Sequence, residues 1–223
     1  MRAREFRLIQ EPVQTPGQVS AAALNYRDKM VIEGTMPIPL AFPFTPASDM
    51  AGVVDSTGEG VTRFKPGARV ISTFFPEWID GRPQADARNL PYKTSGGYFQ
   101  GMLAEYVIVK EDALVAAPDT LDDAEASTLP CAGLTAWFAL VERGQLRAGQ
   151  SVLVQGTGGV AIFALQIAKA HGAEVFVTSG SDEKLALAKK LGASQGINRL
   201  KGDWAENTLA LTQDRGIDHI IET

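Results

Sequence analysis

Ser151-Val-Leu-Val-Gln-Gly-Thr-Gly-Gly-Val-Ala161 is the stretch whose reading decides the fold. Val-Leu-Val reads as a buried strand, and the apolar residues from Val160 to His171 as a helix. Between them Gly156-Thr157-Gly158-Gly159-Val160-Ala161 fits G-x-G-x-x-A. Each small residue has a steric reason: Gly156 for a tight turn, Gly158 for close approach of a pyrophosphate, Ala161 for packing of helix on strand. The helix start then offers unpaired N–H groups and a positive dipole end to an anion. An ordinary glycine-rich turn has the same composition, and the strand-turn-helix-strand setting is what favours a dinucleotide site over it.

Outward from that turn, the chain divides by texture. C-terminal to it, strands and helices alternate in the manner of βαβ units on a parallel sheet: Glu174–Thr178, Asp182–Leu191, Gln195–Asn198, Asp203–Thr212 and His219–Glu222. A helical stretch from Ala124 to Glu142 leads in. N-terminal to that, turn signals crowd the chain: Thr15-Pro16-Gly17, four prolines between Pro37 and Pro46, Lys65-Pro66-Gly67, Asp80-Gly81-Arg82-Pro83 and Ser95-Gly96-Gly97. The β-prone runs Gly52–Val54, Ala68–Ser72 and Glu105–Val109 lie among them, giving an irregular, barrel-like β domain. The expected class is α/β, with a β domain over 1–118 and a dinucleotide-binding domain over 119–223.

Composition narrows the function. With 223 residues, 45% hydrophobic and 21% charged, the chain has enough apolar material for a real core. A net charge of -5 gives no general basic footprint for nucleic acid. One cysteine and two histidines exclude a disulfide framework and any multi-cysteine zinc module. Ala148 to Ala168 carries no formal charge over about a bilayer's length, but its glycines and glutamines read as strand, turn and helix, so no membrane partner is expected. The first seven residues have no apolar stretch behind their charges, which points to a cytoplasmic protein.

Which dinucleotide binds is decided at the second strand's tip, where an NAD site usually places Asp or Glu to bond the ribose 2′-OH. Here the chain reads Phe176-Val177-Thr178-Ser179-Gly180-Ser181, with no carboxylate. Ser179 and Ser181 leave room for a 2′-phosphate, and Lys184 and Arg199 supply countercharge, so NADP(H) is expected over NAD(H). Asp182 works against this by repelling a phosphate. Taken alone, Lys184 also fits a solvated helix face and Ser181 a plain helix cap.

Leu129-Pro-Cys-Ala-Gly-Leu-Thr-Ala-Trp137 ahead of the glycine turn, together with Leu24-Asn-Tyr-Arg-Asp28, Gly58-Glu-Gly-Val61 and Gly149-Gln-Ser-Val152, resembles the medium-chain dehydrogenase/reductase superfamily, in its quinone oxidoreductase and alcohol dehydrogenase-like branch. The resemblance runs from Arg4 to Glu222 and implies a GroES-like β-barrel domain packed on a Rossmann doubly wound parallel sheet, with the active site in the cleft between them. It also implies that Asn25 lies where the substrate oxygen would, with Tyr26 and Asp28 beside it and Asp49 behind it, and that Thr135 backs the nicotinamide. Zinc-using members have Cys at the position of Asn25, His-Glu at Ser48-Asp49, and Cys at Cys131. Only Cys131 matches, so no metal is expected.

Without a Lewis acid, reducing a conjugated C=C is easier than oxidising an alcohol, because the developing charge on the carbonyl oxygen needs only placed hydrogen-bond donors. The expected activity is NADPH-dependent reduction of a quinone or α,β-unsaturated carbonyl by hydride transfer without zinc. An NAD(P)-dependent alcohol dehydrogenase with an atypical site, and an inert nucleotide-binding protein reusing the fold, are the alternatives. Expected partners are a small carbonyl compound and a second copy of the chain. Two departures from the resemblance stand out. Gly17 to Ala23 reads as too short for the long strand the family carries there, and the sequence stops on the fourth strand of the doubly wound sheet, which implies a truncated version of a longer enzyme.

Overall fold

The computed structural model describes residues 14–36, 40–81 and 93–222. The prolines at 37 and 39, the Arg82-Pro83 part of the fourth turn signal and the charged N-terminus lie outside these. The chain forms two compact units, Met1–Cys131 and Ala132–Thr223.

The first unit is a curled five-stranded antiparallel sheet, a GroES-like half-barrel. Its strands are β1 (Gln14–Ala23), β2 (Asp49–Val54), β3 (Arg69–Ser72), β4 (Tyr106–Lys110) and β5 (Leu114–Ala116), in the order β4-β1-β2-β3-β5. Helix α1 (Tyr26–Ile32) follows β1 directly. Met50, Val54, Val70, Met102, Val107 and Leu114 form its main core. The expectation that the segment before Asn25 is too short for a long strand is overturned: β1 has ten residues, because the chain is already extended through Thr15-Pro16-Gly17. Pro16 reads as a turn signal in isolation. In the sheet its missing donor is tolerated, since β1 pairs only with β4 there and joins β2 from Gly17 onward. Gly17, Val19 and Ala21 to Ala23 then run against β2 with a register shift between Val19 and Ala21. Gly52, across from Val19, has to be glycine, since a Cβ there would lie 2.2 Å from the Gln18 carbonyl oxygen.

Residues 119–131 belong with this unit. Arg69 Nη2 holds Asp123 Oδ1 at 2.6 Å, and Ala126 of α2 (Asp123–Ala126) packs with Ala51, Ile71 and Ala117. The helical stretch expected from Ala124 to Glu142 is present in segments. α2 is followed by a wide π turn at Leu129–Gly133, an α-helical stretch α3 (Leu134–Trp137), and a second π turn at Phe138–Arg143. Pro130 lacks the N–H a regular helix would use, which agrees with the break at the first π turn.

The second unit has four parallel strands in the order β8-β7-β6-β9: β6 (Ser151–Gln155), β7 (Glu174–Ser179), β8 (Gln195–Asn198) and β9 (His219–Ile221). They alternate with α4 (Gly159–Ala170), α5 (Asp182–Lys190) and α6 (Trp204–Leu211). Val152, Val154, Ala161, Ala164, Leu165, Val175 and Val177 fill the core on one face of the sheet. Leu153, Phe176 and Ile197 fill it on the other. β6 is therefore apolar at every position from 152 to 154, the mark of a strand covered on both sides. β9 is an edge strand, with Ile220 57% exposed. Among the described residues, no helix is long and apolar enough to cross a membrane.

Candidate functional site

In the second unit, Gly156 turns the chain off β6 with φ 95°, a conformation that side chains disfavour, and its N–H donates to the Thr178 carbonyl at 3.0 Å. Thr157 is half-buried in the turn. Gly158 is the N-cap of α4, and a Cβ built on it meets no protein atom within 4 Å. The fold itself does not require glycine there, and its absence of a side chain leaves the backbone open to close approach. Gly159 and Val160 open the helix, Val160 leaning on the core and Ala161 buried in it. The strand, turn and helix thus meet the geometry of a pyrophosphate cradle. Thr135 lies exposed on α3, which packs against α4.

At the tip of β7, Ser179 is buried and its Oγ accepts the Ser181 N–H at 3.3 Å; Ser181 in turn caps α5 by accepting the Lys184 N–H at 3.3 Å. Lys184 is exposed. Arg199 follows β8, donates its N–H to the Ser179 carbonyl at 3.0 Å, and brings Nη2 to 3.6 Å from where a Gly180 Cβ would be. Serines and guanidinium therefore share one turn. Asp182 is not the open repulsive charge that its position in sequence suggests. Lys201 Nζ and Asn198 Nδ2 both donate to its carboxylate, and chiefly the Lys201 bond holds that carboxyl below its ordinary value. Lys201 and Asn198 are residues that reading the sequence missed, because nothing local marks a partner nineteen positions away.

In the first unit the candidate residues gather around two buried carboxylates. Asn25 caps α1, its N–H donating to Asp28 Oδ2 at 2.7 Å. Asp49, fully buried at the start of β2, accepts from Ser48 Oγ at 2.6 Å and from the Cys131 N–H at 2.9 Å. Burial pushes the Asp49 carboxyl up, opposed by Ser48, the Asn25 amide and Cys131. Burial likewise pushes Asp28 up, opposed by the Asn25 N–H and by Arg27. The Cys131 thiol is pushed up to about 11, first by burial and then by Asp49. Tyr26 does not join the cluster: it is 74% exposed, with Lys29 Nζ 5.7 Å from its ring centroid.

Arg27, which the sequence presents only as part of a motif, is central. Its Nη2 donates to Thr94 Oγ1 at 2.6 Å, its Nη1 to the Ser95 carbonyl at 3.3 Å, and its guanidinium lies over the Phe74 ring. Ala47 just before Ser48 adopts φ 68° and is fully buried. Its carbonyl accepts the Met102 N–H at 2.8 Å, and Gly96 and Gly101 press against it so closely that a Cβ on either would lie within 2.5 Å of its carbonyl oxygen. The 94–102 segment thus fixes the bend that turns Ser48 and Asp49 inward.

Two families match the chain: one described as alcohol dehydrogenase GroES-like domain over residues 17–119, and one described as zinc-binding dehydrogenase over 159–223. The chain belongs to the medium-chain dehydrogenase/reductase superfamily. Among similar members, a zinc-type alcohol dehydrogenase-like protein of Schizosaccharomyces pombe is 45% identical over 214 residues, 93% of this chain and 61% of that protein. The quinone oxidoreductase of Rattus norvegicus is 34% identical over 207 residues, 92% of this chain and 56% of its own. A crystal structure from Sinorhizobium meliloti 1021, whose alcohol dehydrogenase assignment is itself provisional, superposes with a TM-score of 0.93 at 60% identity, covering 97% of this chain and 64% of that one. The chain therefore spans roughly six tenths of the length of these superfamily members.

The superfamily contains zinc enzymes, and the donors at the corresponding positions here suit a metal poorly. Asn25 is an amide, and the Ser48 hydroxyl and both Asp49 oxygens are engaged with each other and with Cys131. Among the described residues no three His, Cys, Asp or Glu side chains are grouped to hold an ion.

Proposed function

We propose that this chain is the coenzyme- and substrate-binding part of an NADPH-dependent reductase of quinones or α,β-unsaturated carbonyls that works without zinc. The observation that carries the reading is the turn from Gly156 to Gly159, whose open Gly158 leaves backbone free for a pyrophosphate at the start of α4. The bound coenzyme supplies the hydride. Ser179, Ser181 and Arg199 receive the 2′-phosphate, with Asp182 neutralised by Lys201. Thr135 backs the nicotinamide.

Asn25 donates from Nδ2 to the substrate carbonyl oxygen, where negative charge develops as hydride reaches the β-carbon. Asp49, fully buried, positions the Asn25 amide and the Cys131 backbone. The names borne by the quinone oxidoreductase relatives support the substrate class. The second copy of the chain expected above remains part of this proposal.

The test is a titration of the chain with NADPH and NADH, then coenzyme oxidation with quinones, enones and aldehydes, with and without chelator. NADPH is expected to bind more tightly, with turnover of quinones or enones that chelator leaves unchanged. Binding of neither coenzyme refutes the oxidoreductase reading, tighter binding of NADH refutes the coenzyme choice, and stoichiometric zinc refutes the metal-free site.

A further inference from the structure

An arginine can hold several partners at once, because its guanidinium presents a rigid planar fork of donors. Arg27 spends that fork inside the protein. Its Nη2 donates to Thr94 Oγ1 at 2.6 Å and its Nη1 to the Ser95 carbonyl at 3.3 Å, and Nη1 also lies 3.5 Å from Asp28 Oδ1. The guanidinium carbon stands 5.1 Å from the centre of the Phe74 ring, and the side chain is only 15% exposed. Exposed ion pairs contribute little because water screens them and the chains stay mobile, and Arg27 is sheltered from both effects.

Two routes lead from Arg27 to Asn25. The short one runs through α1: Asp28 accepts the Asn25 N–H on Oδ2 at 2.7 Å and returns its own N–H to the Asn25 carbonyl at 2.9 Å. The long one runs through the 94–102 segment. The Ser95 carbonyl belongs to the same peptide group as the Gly96 N–H, and Gly96 packs on the Ala47 backbone too closely to admit a Cβ. Ala47 holds a φ of 68° that alanine disfavours, so its bend depends on that packing and on the Met102 N–H at its carbonyl. Ser48 and Asp49 come next. The Asp49 carboxylate takes the Cys131 N–H at 2.9 Å, and the Asn25 amide helps hold its carboxyl down. The two routes close into a ring of contacts, and Arg27 is the side chain at which they meet.

We propose that Arg27 is a positioning residue: it sets Asn25 and Asp49 relative to each other by clasping α1 to Thr94 and Ser95. Its consequence for turnover rests on the reading of Asn25 as the donor to the substrate oxygen, and its geometry rests on the contacts alone. Lysine is no substitute at this place, since one ammonium cannot bond Thr94 and Ser95 as a fork and cover the Phe74 ring as well.

The test follows amide hydrogen exchange by NMR on the 223-residue chain, with the Cys131 N–H, bonded to Asp49, as the reporter of that carboxylate's position. Arg27→Lys keeps the charge and loses the fork; Thr94→Val keeps the shape and loses the acceptor. Each should speed exchange at Cys131 by about 10-fold, the size of one hydrogen bond to a charged group. Each should also shift the Asn25 side-chain amide resonances, identified by their loss in Asn25→Ser. The double variant should stay within about 3-fold of either single one, because both take away the same contact. The Val54 N–H, bonded to the Ala68 carbonyl in the same unit, should keep its rate. An equal rise at Cys131 and Val54 would mean lost stability alone, and a double variant at the product of the two rates would mean separate effects. Either result overturns the proposal, as does no change at Cys131. In reduction of 2-cyclohexen-1-one by NADPH, both variants should lower kcat about 10-fold with KM for NADPH unchanged, since a donor to the developing oxyanion acts in the transition state. A wild-type chain without turnover, or kcat unchanged in both variants while Cys131 responds, refutes the reading of Asn25 as that donor and leaves the positioning of Asn25 and Asp49 standing.

Discussion

Replacing Gly180 with Asp tests the adenosine end of the site most directly. Gly180 has room for a side chain: its Cβ would lie 3.4 Å from Leu200 Cδ1 and 3.6 Å from Arg199 Nη2, ordinary contact distances. The new carboxylate would therefore form beside the guanidinium and pair with it. Two losses follow for a coenzyme that carries a 2′-phosphate. The Arg199 contact is diverted, worth about 1 kcal/mol for an exposed pair, and a carboxylate roughly 4 Å from the phosphate adds about 1 kcal/mol of repulsion in water. Together these give about 2 kcal/mol, or ~30-fold weaker NADPH binding. NADH has no phosphate to repel and gains an acceptor for its ribose hydroxyls, so its affinity should stay level or rise. Nicotinamide fluorescence titrations of wild type and Gly180→Asp with both coenzymes measure this, and adding salt should narrow the NADPH difference. Equal weakening of both coenzymes, or an unchanged NADPH affinity, would show that Arg199 and the Ser179–Ser181 turn do not read the phosphate.

Asp49 should make stability depend on pH in an unusual direction. Burial raises its carboxyl in the fold, so the contribution is complete below the unfolded value and is lost as pH rises through the folded one. Thermal unfolding scans of wild type should therefore drop relative to Asp49→Asn as pH climbs from about 4, and a gap that stays constant to pH 8 would contradict this. Truncation to Asp49→Ala should cost about 2–4 kcal/mol in urea unfolding, since the Ser48 hydroxyl and the Cys131 N–H are left unpaired. Cys131, with its thiol at about 11, should react with iodoacetamide at pH 7.5 on the order of 100-fold more slowly than free cysteine; a comparable rate would mean an open thiolate. Gly96→Ala should unfold the β unit or cost more than about 3 kcal/mol, because its φ is 62° and the added methyl would sit 2.4 Å from the Ala47 carbonyl oxygen.

What could be read from the sequence was local. The second unit was legible because β6 and β7 are short apolar runs and the helices carry their own caps, such as Ser181 before α5 and Asp203 before α6. The nucleotide turn is contiguous, so spacing alone indicates it. β1 was misread because Thr15-Pro16-Gly17 is a turn signal by composition, and only the partner strands β2 and β4 make it extended. The helix from 124 to 142 was recognised as helical, but its π turns were invisible, since they answer to Pro130 and to packing. Neutralisation of Asp182 by Lys201, and the stitching of Arg27 to Thr94 across 67 residues, depend on contacts that no periodicity encodes.

That difference has a physical root in how the two candidate sites are built. A phosphate cradle needs only free backbone N–H groups and missing side chains, and both are properties of a few consecutive residues. The carboxylate cluster needs charge kept out of water, which takes donors from several elements at once: Ser48 beside Asp49, the Cys131 backbone, and the Asn25 cap. Holding them together requires Ala47 in a left-handed bend that alanine adopts only when its surroundings insist. The surroundings are Gly96, Gly101 and the Met102 N–H, and Arg27 fastens that same segment to α1. Asn25 on α1 and Asp49 on β2 are thus set by one loop that touches both, so substitutions in 94–102 should alter the carboxylate cluster as a unit while leaving the glycine turn at Gly156 unchanged.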